Sequence, residues 1–309
     1  MLKGFKIKSE LSEKQIEADV SAYLGWITPI GRSSPFRLID IDEEVTGADK
    51  RIDLVIPMYL QFKVSEGLKP LNSKFNLSLL PFTPLQKIRR FRKRLQLKDN
   101  PTLYFKLRRK ARTATEFQHN ILLRLNGIEN VSAFYVAPLE LEKTKYENRL
   151  YSSMKRFSYR PFEDRIISIH QNNWLSQLGF VPFLRGHISI FPHEKVNTSK
   201  HHYSFDQTGC EIGWHSPDYY KQNLQLSSTI KNIFDNATSN KYYWQNPKEY
   251  LEVIQSKFDF FSTDKNSNND FKQLEEIQRF GQELYQRYEI RQFLITTTYE
   301  QIEQLRKEK

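Results

Sequence analysis

GADKRIDLVIPMYLQFKVSEG, residues 47–67, is the most informative segment of this chain. From Asp49 to Ile56 the side chains alternate, with Ile52, Leu54 and Ile56 on one face and Asp49, Arg51, Asp53 and Val55 on the other. Pro57 and Met58 predict a tight turn, after which Leu60, Phe62 and Val64 form a greasy face opposite Gln61 and Lys63. The expectation is a β-hairpin with one apolar face and one face that carries Asp, Asp, Gln and Lys.

Working outward, residues 12–24 read as a helix. Ser12 is a candidate cap, and Ile16, Val20, Tyr23 and Leu24 share a side at helical spacing. Glu13 lies close to that buried side and Glu17 at its margin, where a carboxylate needs a partner or a metal. Residues 36–41 predict a short strand. A loop and a basic helix fill 66–100, residues 102–108 alternate like a strand, and 115–125 predict a helix. The apolar run 131–137 predicts a strand buried on both faces. Beyond Pro138 the signals weaken: short strands near 188–191 and 203–205, a helix over 246–260, and long helices from Phe271 to the end. The implied organisation is a core at 1–138 with a basic insertion at 66–112, an aromatic and histidine-rich α+β region at 139–240, and a helical region at 241–309.

The net charge of +11 is concentrated in one place. Between Lys87 and Arg112 twelve Lys and Arg residues face a single acid, Asp99, so the rest of the chain is neutral overall. Such a cluster attracts polyanions and releases counterions on binding. Arg89, Arg90, Arg92, Lys93, Arg94, Arg108 and Arg109 are the candidate nucleic-acid contacts. A solvated charged face is the competing reading. The single cysteine, Cys210, excludes an intramolecular disulfide, and the absence of an apolar leader or long apolar run points to a cytoplasmic protein away from membranes. His193, His201, His202, Cys210 and His215 cluster in sequence, but their spacing matches no zinc signature, so packing or surface roles are expected.

An Asp at the start of one strand, and an oxygen ligand followed two residues later by Lys on the next, can hold a hard divalent cation and position a phosphate or water. Asp49, Gln61 and Lys63 supply that set. Here the sequence resembles the PD-(D/E)xK (restriction-endonuclease-like) nuclease superfamily, with Gln61-Phe62-Lys63 similar to its QxK variant. GAD…LQFKV, TEFQHNILLRL, AFYVAP and HHYSFDQTGCEIGWHSP are also similar to a group of little-characterised bacterial proteins carrying that core.

The resemblance to the superfamily covers residues 12–137. It implies an α/β fold whose core runs helix, three strands, helix, strand around a mixed sheet; the residues beyond that core read as an α+β region ending in helices. It also implies Mg²⁺ or Mn²⁺ held by Asp49, Gln61 and the Phe62 carbonyl, and cleavage of nucleic acid, DNA above all, in a bacterial defence or restriction setting. Asp49 is preferred to Asp53 as ligand. Because Gln61 is neutral, a further carboxylate is expected from Glu13, Glu17 or Glu44. Gln118 and His119 are candidates for site support, with a satisfied core histidine the simpler account of His119. An inactive nuclease fold that only binds nucleic acid, and a structural subunit of a larger complex, are the competing functions.

Overall fold

The computed structural model describes residues 5–27, 37–40, 52–70, 83–98, 100–112, 114–156, 181–215, 218–262 and 270–307. In chain order the elements begin β1 (Lys6–Ile7), α1 (Glu13–Ile27), β2 (Arg37–Asp40), β3 (Leu54–Phe62), β4 (Glu66–Leu68), α2 (Pro84–Arg94) and β5 (Thr102–Lys106). Next come α3 (Gln118–Asn126), β6 (Ser132–Pro138), α4 (Lys143–Arg156), α5 (Pro182–Arg185), β7 (His187–Ile190), β8 (His202–Phe205), β9 (Glu211–His215) and β10 (Tyr219–Gln222). The chain ends in α6 (Leu226–Ser239), α7 (Pro247–Lys257), α8 (Asp270–Tyr288), β11 (Arg291–Thr297) and α9 (Tyr299–Lys307).

The protein is α/β, with one mixed and one antiparallel sheet. In the mixed sheet the order is β2-β11-β3-β6-β7, and only β3 and β6 run parallel. In the other it is β1-β4-β5-β8-β9-β10, antiparallel throughout. Helix α1 starts where Ser12 Oγ accepts the Gln15 N–H at 3.1 Å, and Ile16, Val20, Tyr23 and Leu24 are buried as the spacing requires.

The expected hairpin is not formed. Residues 54–62 are one uninterrupted strand, and Pro57 lies inside it opposite Leu294 of β11. Proline survives there because of where its missing N–H falls. The N–H of Val55 donates to Gln245 and that of Lys63 to Val136, so odd-numbered residues of β3 point their N–H away from β11. Pairing with β6 begins only at Met58, which leaves position 57 in the gap between Gln245 and β6.

A second correction concerns the C-terminus. The region read as helices contains β11, which inserts between β2 and β3 and pairs with both. Strands β2 and β3 are therefore not adjacent in the sheet. β-Branched enrichment in Ile295, Thr296 and Thr297 was the available signal.

Strand β3 is buried along its whole length. Leu54, Ile56, Met58, Leu60 and Phe62 join a core with α1 and α6, while Val55 and Tyr59 join a second core with α3, α7, α8 and one face of the antiparallel sheet. Between β3, β11 and α8 a polar group crosses this second core: the Tyr59 hydroxyl lies 2.5 Å from that of Tyr250 and accepts from Gln292 Nε2 at 2.8 Å. Gly281 of α8 lets the helix close over it, since a Cβ there would collide with Gln292 Oε1.

The outer face of the antiparallel sheet is covered by α2, which docks with Phe91 against Gly213 and with Arg92 fully buried. The Arg92 guanidinium donates to the carbonyl of Lys98 at 2.5 and 3.1 Å and lies 3.5 Å from the Glu211 carboxylate.

Stability measurements on three variants probe this packing. Gly281→Ala should cost about 1–3 kcal/mol in chemical denaturation despite the better helix propensity of alanine, because Gln292 must leave Tyr59. Gln292→Ala should suppress that loss in a double-mutant cycle, and simple additivity would refute the contact. Arg92→Met should lower stability by about 2–4 kcal/mol, since buried acceptors lose their donor.

Candidate functional site

At the carboxyl end of β3 the chain leaves for a long excursion and returns through α3 into the parallel strand β6. The start of α3 is thus carried back to the end of β3, the position where α/β sheets assemble sites. Gln118, first residue of α3, donates from Nε2 to Gln61 Oε1 at 2.5 Å and also to the carbonyl of Tyr288. Gln61 in turn donates its own amide to the Phe62 carbonyl at 3.0 Å. Both glutamines are buried, and Gln118 Oε1 has no hydrogen-bond partner among the described residues.

Lys63 is only 3% exposed. Its backbone N–H continues the pairing to Val136 at 2.8 Å, and Nζ lies 3.5 Å from Glu13 Oε1 in the first turn of α1. Burial pushes its pKa below the usual lysine value; Glu13 opposes this, Arg108 adds to it by like-charge repulsion, and Glu289 opposes again. Arg108 itself pairs with Glu289. Glu289 sits at the α8–β11 corner with φ 55°, a conformation few side-chain-bearing residues adopt.

Beside them Arg291 Nη1 approaches Glu17 at 3.6 Å, and Lys14 donates to Glu17 at 3.2 Å and to Tyr285 at 2.7 Å. Carboxylates and cations from α1, β3, the segment after β5 and the α8–β11 corner therefore meet at one end of the mixed sheet.

Of the residues expected at a site, Gln61, Lys63, Glu13, Glu17 and Gln118 are brought together. Asp49 and Glu44 lie outside the described residues. Asp53 is not brought to them: with β3 continuous, it stands eight residues before Gln61, roughly 26 Å along the strand at 3.3 Å per residue. Its carboxylate accepts the N–H of Tyr299 at 3.0 Å, at the start of α9. His119 faces the aromatic core, its Nδ1 3.0 Å from the Tyr135 hydroxyl and its Nε2 3.0 Å from the Glu194 carbonyl. Burial lowers its pKa to about 4, so it is neutral at pH 7. It is a satisfied core histidine that stacks on Trp214.

The basic segment divides in two. Arg92 is not a nucleic-acid contact, because its guanidinium is sealed beneath α2 and spent on Lys98 and Glu211. Arg89 donates to the carbonyl of Lys69 at 2.6 Å, Arg90 is half-buried, Arg94 pairs with Asp218 at 3.2 Å, and Arg108 is held by Glu289. Lys93, Arg109 and Lys110 are exposed. Sequence reading missed Glu289, Arg291, Tyr285 and Tyr288, which only the insertion of β11 brings back to α1 and β3.

The oxygens of Glu13, Glu17, Gln61 and Phe62 are of the hard type a Mg²⁺ or Mn²⁺ ion takes. Gln61 Oε1 accepts from Gln118 Nε2 and the Phe62 carbonyl from Gln61 Nε2, and each of these oxygens has two lone pairs. Among the described residues no group of three or more His, Cys, Asp or Glu side chains is placed to hold a metal, and no helix is long and apolar enough to cross a membrane. Comparison of the chain with protein-family models, with curated proteins and with solved structures returned no match.

Proposed function

We propose that this protein is a metal-dependent nuclease with a restriction-endonuclease-like core, hydrolysing phosphodiester bonds in DNA in a bacterial defence setting. The observation that carries the reading is Lys63, a cation buried at the carboxyl end of β3 with Glu13 of α1 beside it, where the β3–α3–β6 crossover returns. An ammonium held out of water is costly to keep and rewards a site that meets a phosphate.

Glu13 would hold a Mg²⁺ or Mn²⁺ ion, Gln61 Oε1 and the Phe62 carbonyl would add neutral oxygens, and Asp49 is the further carboxylate that the resemblance implies. The ion, when bound, supplies charge neutralisation at the scissile phosphate and an acidified water. Gln118 fixes the direction of the Gln61 amide. Lys63 Nζ exchanges its contact with Glu13 for a phosphate oxygen, in a setting where burial strengthens the attraction.

A second reading, a nucleic-acid-binding module without cleavage, draws support from the closed Gln118–Gln61–Phe62 hydrogen-bond chain, which already occupies two of the oxygens assigned to metal.

Lys63→Met separates them. It should abolish Mg²⁺- or Mn²⁺-dependent cleavage of DNA while leaving stability unchanged or raising it by up to about 2 kcal/mol, because a desolvated charge is removed and the half-exposed Glu13 stays solvated. Retained cleavage removes the proposed centre. A large loss of stability assigns the pair to structure instead.

Binding should depend on the exposed cations alone. Replacing Lys93, Arg109 and Lys110 with glutamine should flatten the log–log salt dependence on duplex DNA by roughly 0.9 for each phosphate no longer neutralised, at unchanged thermal stability. An unchanged slope would place the substrate elsewhere.

A further inference from the structure

Two backbone carbonyls beside the Gln61–Gln118 pair are left over by the elements that carry them. Phe62 lies beyond the last residue of β3 paired with β11, Leu60 opposite Arg291. Tyr288 is the last residue of α8, where carbonyls have no partner inside the helix. Two glutamine amides stand between these carbonyls. Gln61 Nε2 donates to Phe62 at 3.0 Å, and Gln118 Nε2 donates to Tyr288. With both amides donating outward, their oxygens would meet in the middle. The chain avoids this because Gln118 Nε2 donates also to Gln61 Oε1, at 2.5 Å. The consequence is that Gln118 Oε1 has no hydrogen-bond partner among the described residues, on a residue only 5% exposed. A buried amide oxygen without a donor carries the full cost of leaving water, which marks an arrangement that a change of partners can improve.

The direction of the Gln61 amide is also unsuited to a cation. The two oxygens assigned to the ion, Gln61 Oε1 and the Phe62 carbonyl, have the Gln61 N–H between them, so an ion touching both meets the positive end of that N–H. Turning the amide over exchanges Oε1 and Nε2. Oε1 then takes the place 3.0 Å from the Phe62 carbonyl, and Nε2 comes to face Gln118. Two oxygens so close repel each other unless a cation lies against both, and hard divalent ions take such pairs. The orphaned Gln118 Oε1 can accept the turned Gln61 N–H while Gln118 Nε2 keeps the Tyr288 carbonyl. In this second arrangement every polar atom of the two amides has a partner.

We propose that Gln118 is a positioning residue for a hard divalent cation: it receives the Gln61 N–H and so holds Gln61 Oε1 and the Phe62 carbonyl toward the same ion. This role rests on the reading of a metal site at the end of β3, and it requires the Gln61–Gln118 hydrogen bond to reverse direction when the ion is taken up. Gln118→Met and Gln118→Glu both lose the donation to Tyr288, but only the carboxylate can accept from Gln61.

The test is binding of Mn²⁺ alone, measured by isothermal titration calorimetry on the full chain with thermal stability recorded beside it. Gln118→Met should weaken Mn²⁺ affinity about 10- to 100-fold, the usual effect of removing a group that orients a metal ligand. Gln118→Glu should bind at least as tightly as the parent, whatever stability both variants lose at Tyr288. In a Gln61→Leu background the two Gln118 variants should bind Mn²⁺ equally, because no amide is left to orient. Equal weakening by both variants would assign Gln118 to the fold alone. An advantage of Gln118→Glu that persists undiminished in Gln61→Leu would assign the effect to added charge, and either result overturns the proposal. A parent protein that binds no Mn²⁺ removes the metal reading and this role with it, whereas a parent that binds and a Gln118→Met variant that binds as tightly removes the role of Gln118 alone.

Discussion

Strand β3 has no face open to water, and its polar side chains must be satisfied by protein. Along the side it shares with Val55 the residues run Tyr59, Gln61, Lys63, and each is met by a different element. Tyr59 is answered by Tyr250 of α7 and Gln292 of β11, Gln61 by Gln118 of α3, and Lys63 by Glu13 of α1. An unsatisfied buried polar group costs more than most single contacts contribute, so these pairings dictate how four elements seat on the strand. The same requirement that organises the core delivers two carboxylates and a buried ammonium to its carboxyl end.

The topology tightens this dependence. Because β11 lies between β2 and β3, the pairing of β2 and that of one edge of β3 wait for a segment about 250 residues later in the chain. The corner that leads into β11 carries Tyr285, Tyr288, Glu289 and Arg291 to the same end of the sheet as α1. The ionic surroundings of Lys63 are therefore complete only when the last strand is in place. A left-handed residue at that corner, Glu289, is consistent with a turn fixed by its partners on both sides rather than by its own backbone preference.

The sequence was legible where periodicity and burial agree. Helix α1, its cap and its buried side, the doubly buried β6, the amphipathic α2 and the odd-numbered polar set of β3 follow from spacing alone. It was illegible where a local signal depends on a distant partner. Pro57 reads as a turn because a proline in a central strand leaves a gap in the ladder, and nothing nearby announces that Gln245 and β6 leave that gap open. Reading 57 as a turn folds Asp53 back toward Gln61, whereas the straight strand carries it to the opposite end. Strand β11 was hidden for the same reason: seven residues between two helices give a weak period, and their pairing partners lie at the other end of the chain.

The basic segment shows why charge counted from sequence overstates a binding surface. Twelve cations suggest a continuous field, yet Arg92 is interior structure, Arg89 ties α2 to Lys69, and Arg94 and Arg108 are already paired. Arginine suits these internal tasks because its planar, multiply donating group can bridge carbonyls and carboxylates that a lysine could reach only one at a time. The lysines of the segment lie on its outside, at positions 87, 93, 98, 106 and 110. Residue type thus separates the two roles better than position does: the arginines on the buried side of α2 hold the helix to the sheet, and the remaining outward charges, lysine above all, are what a polyanion can meet.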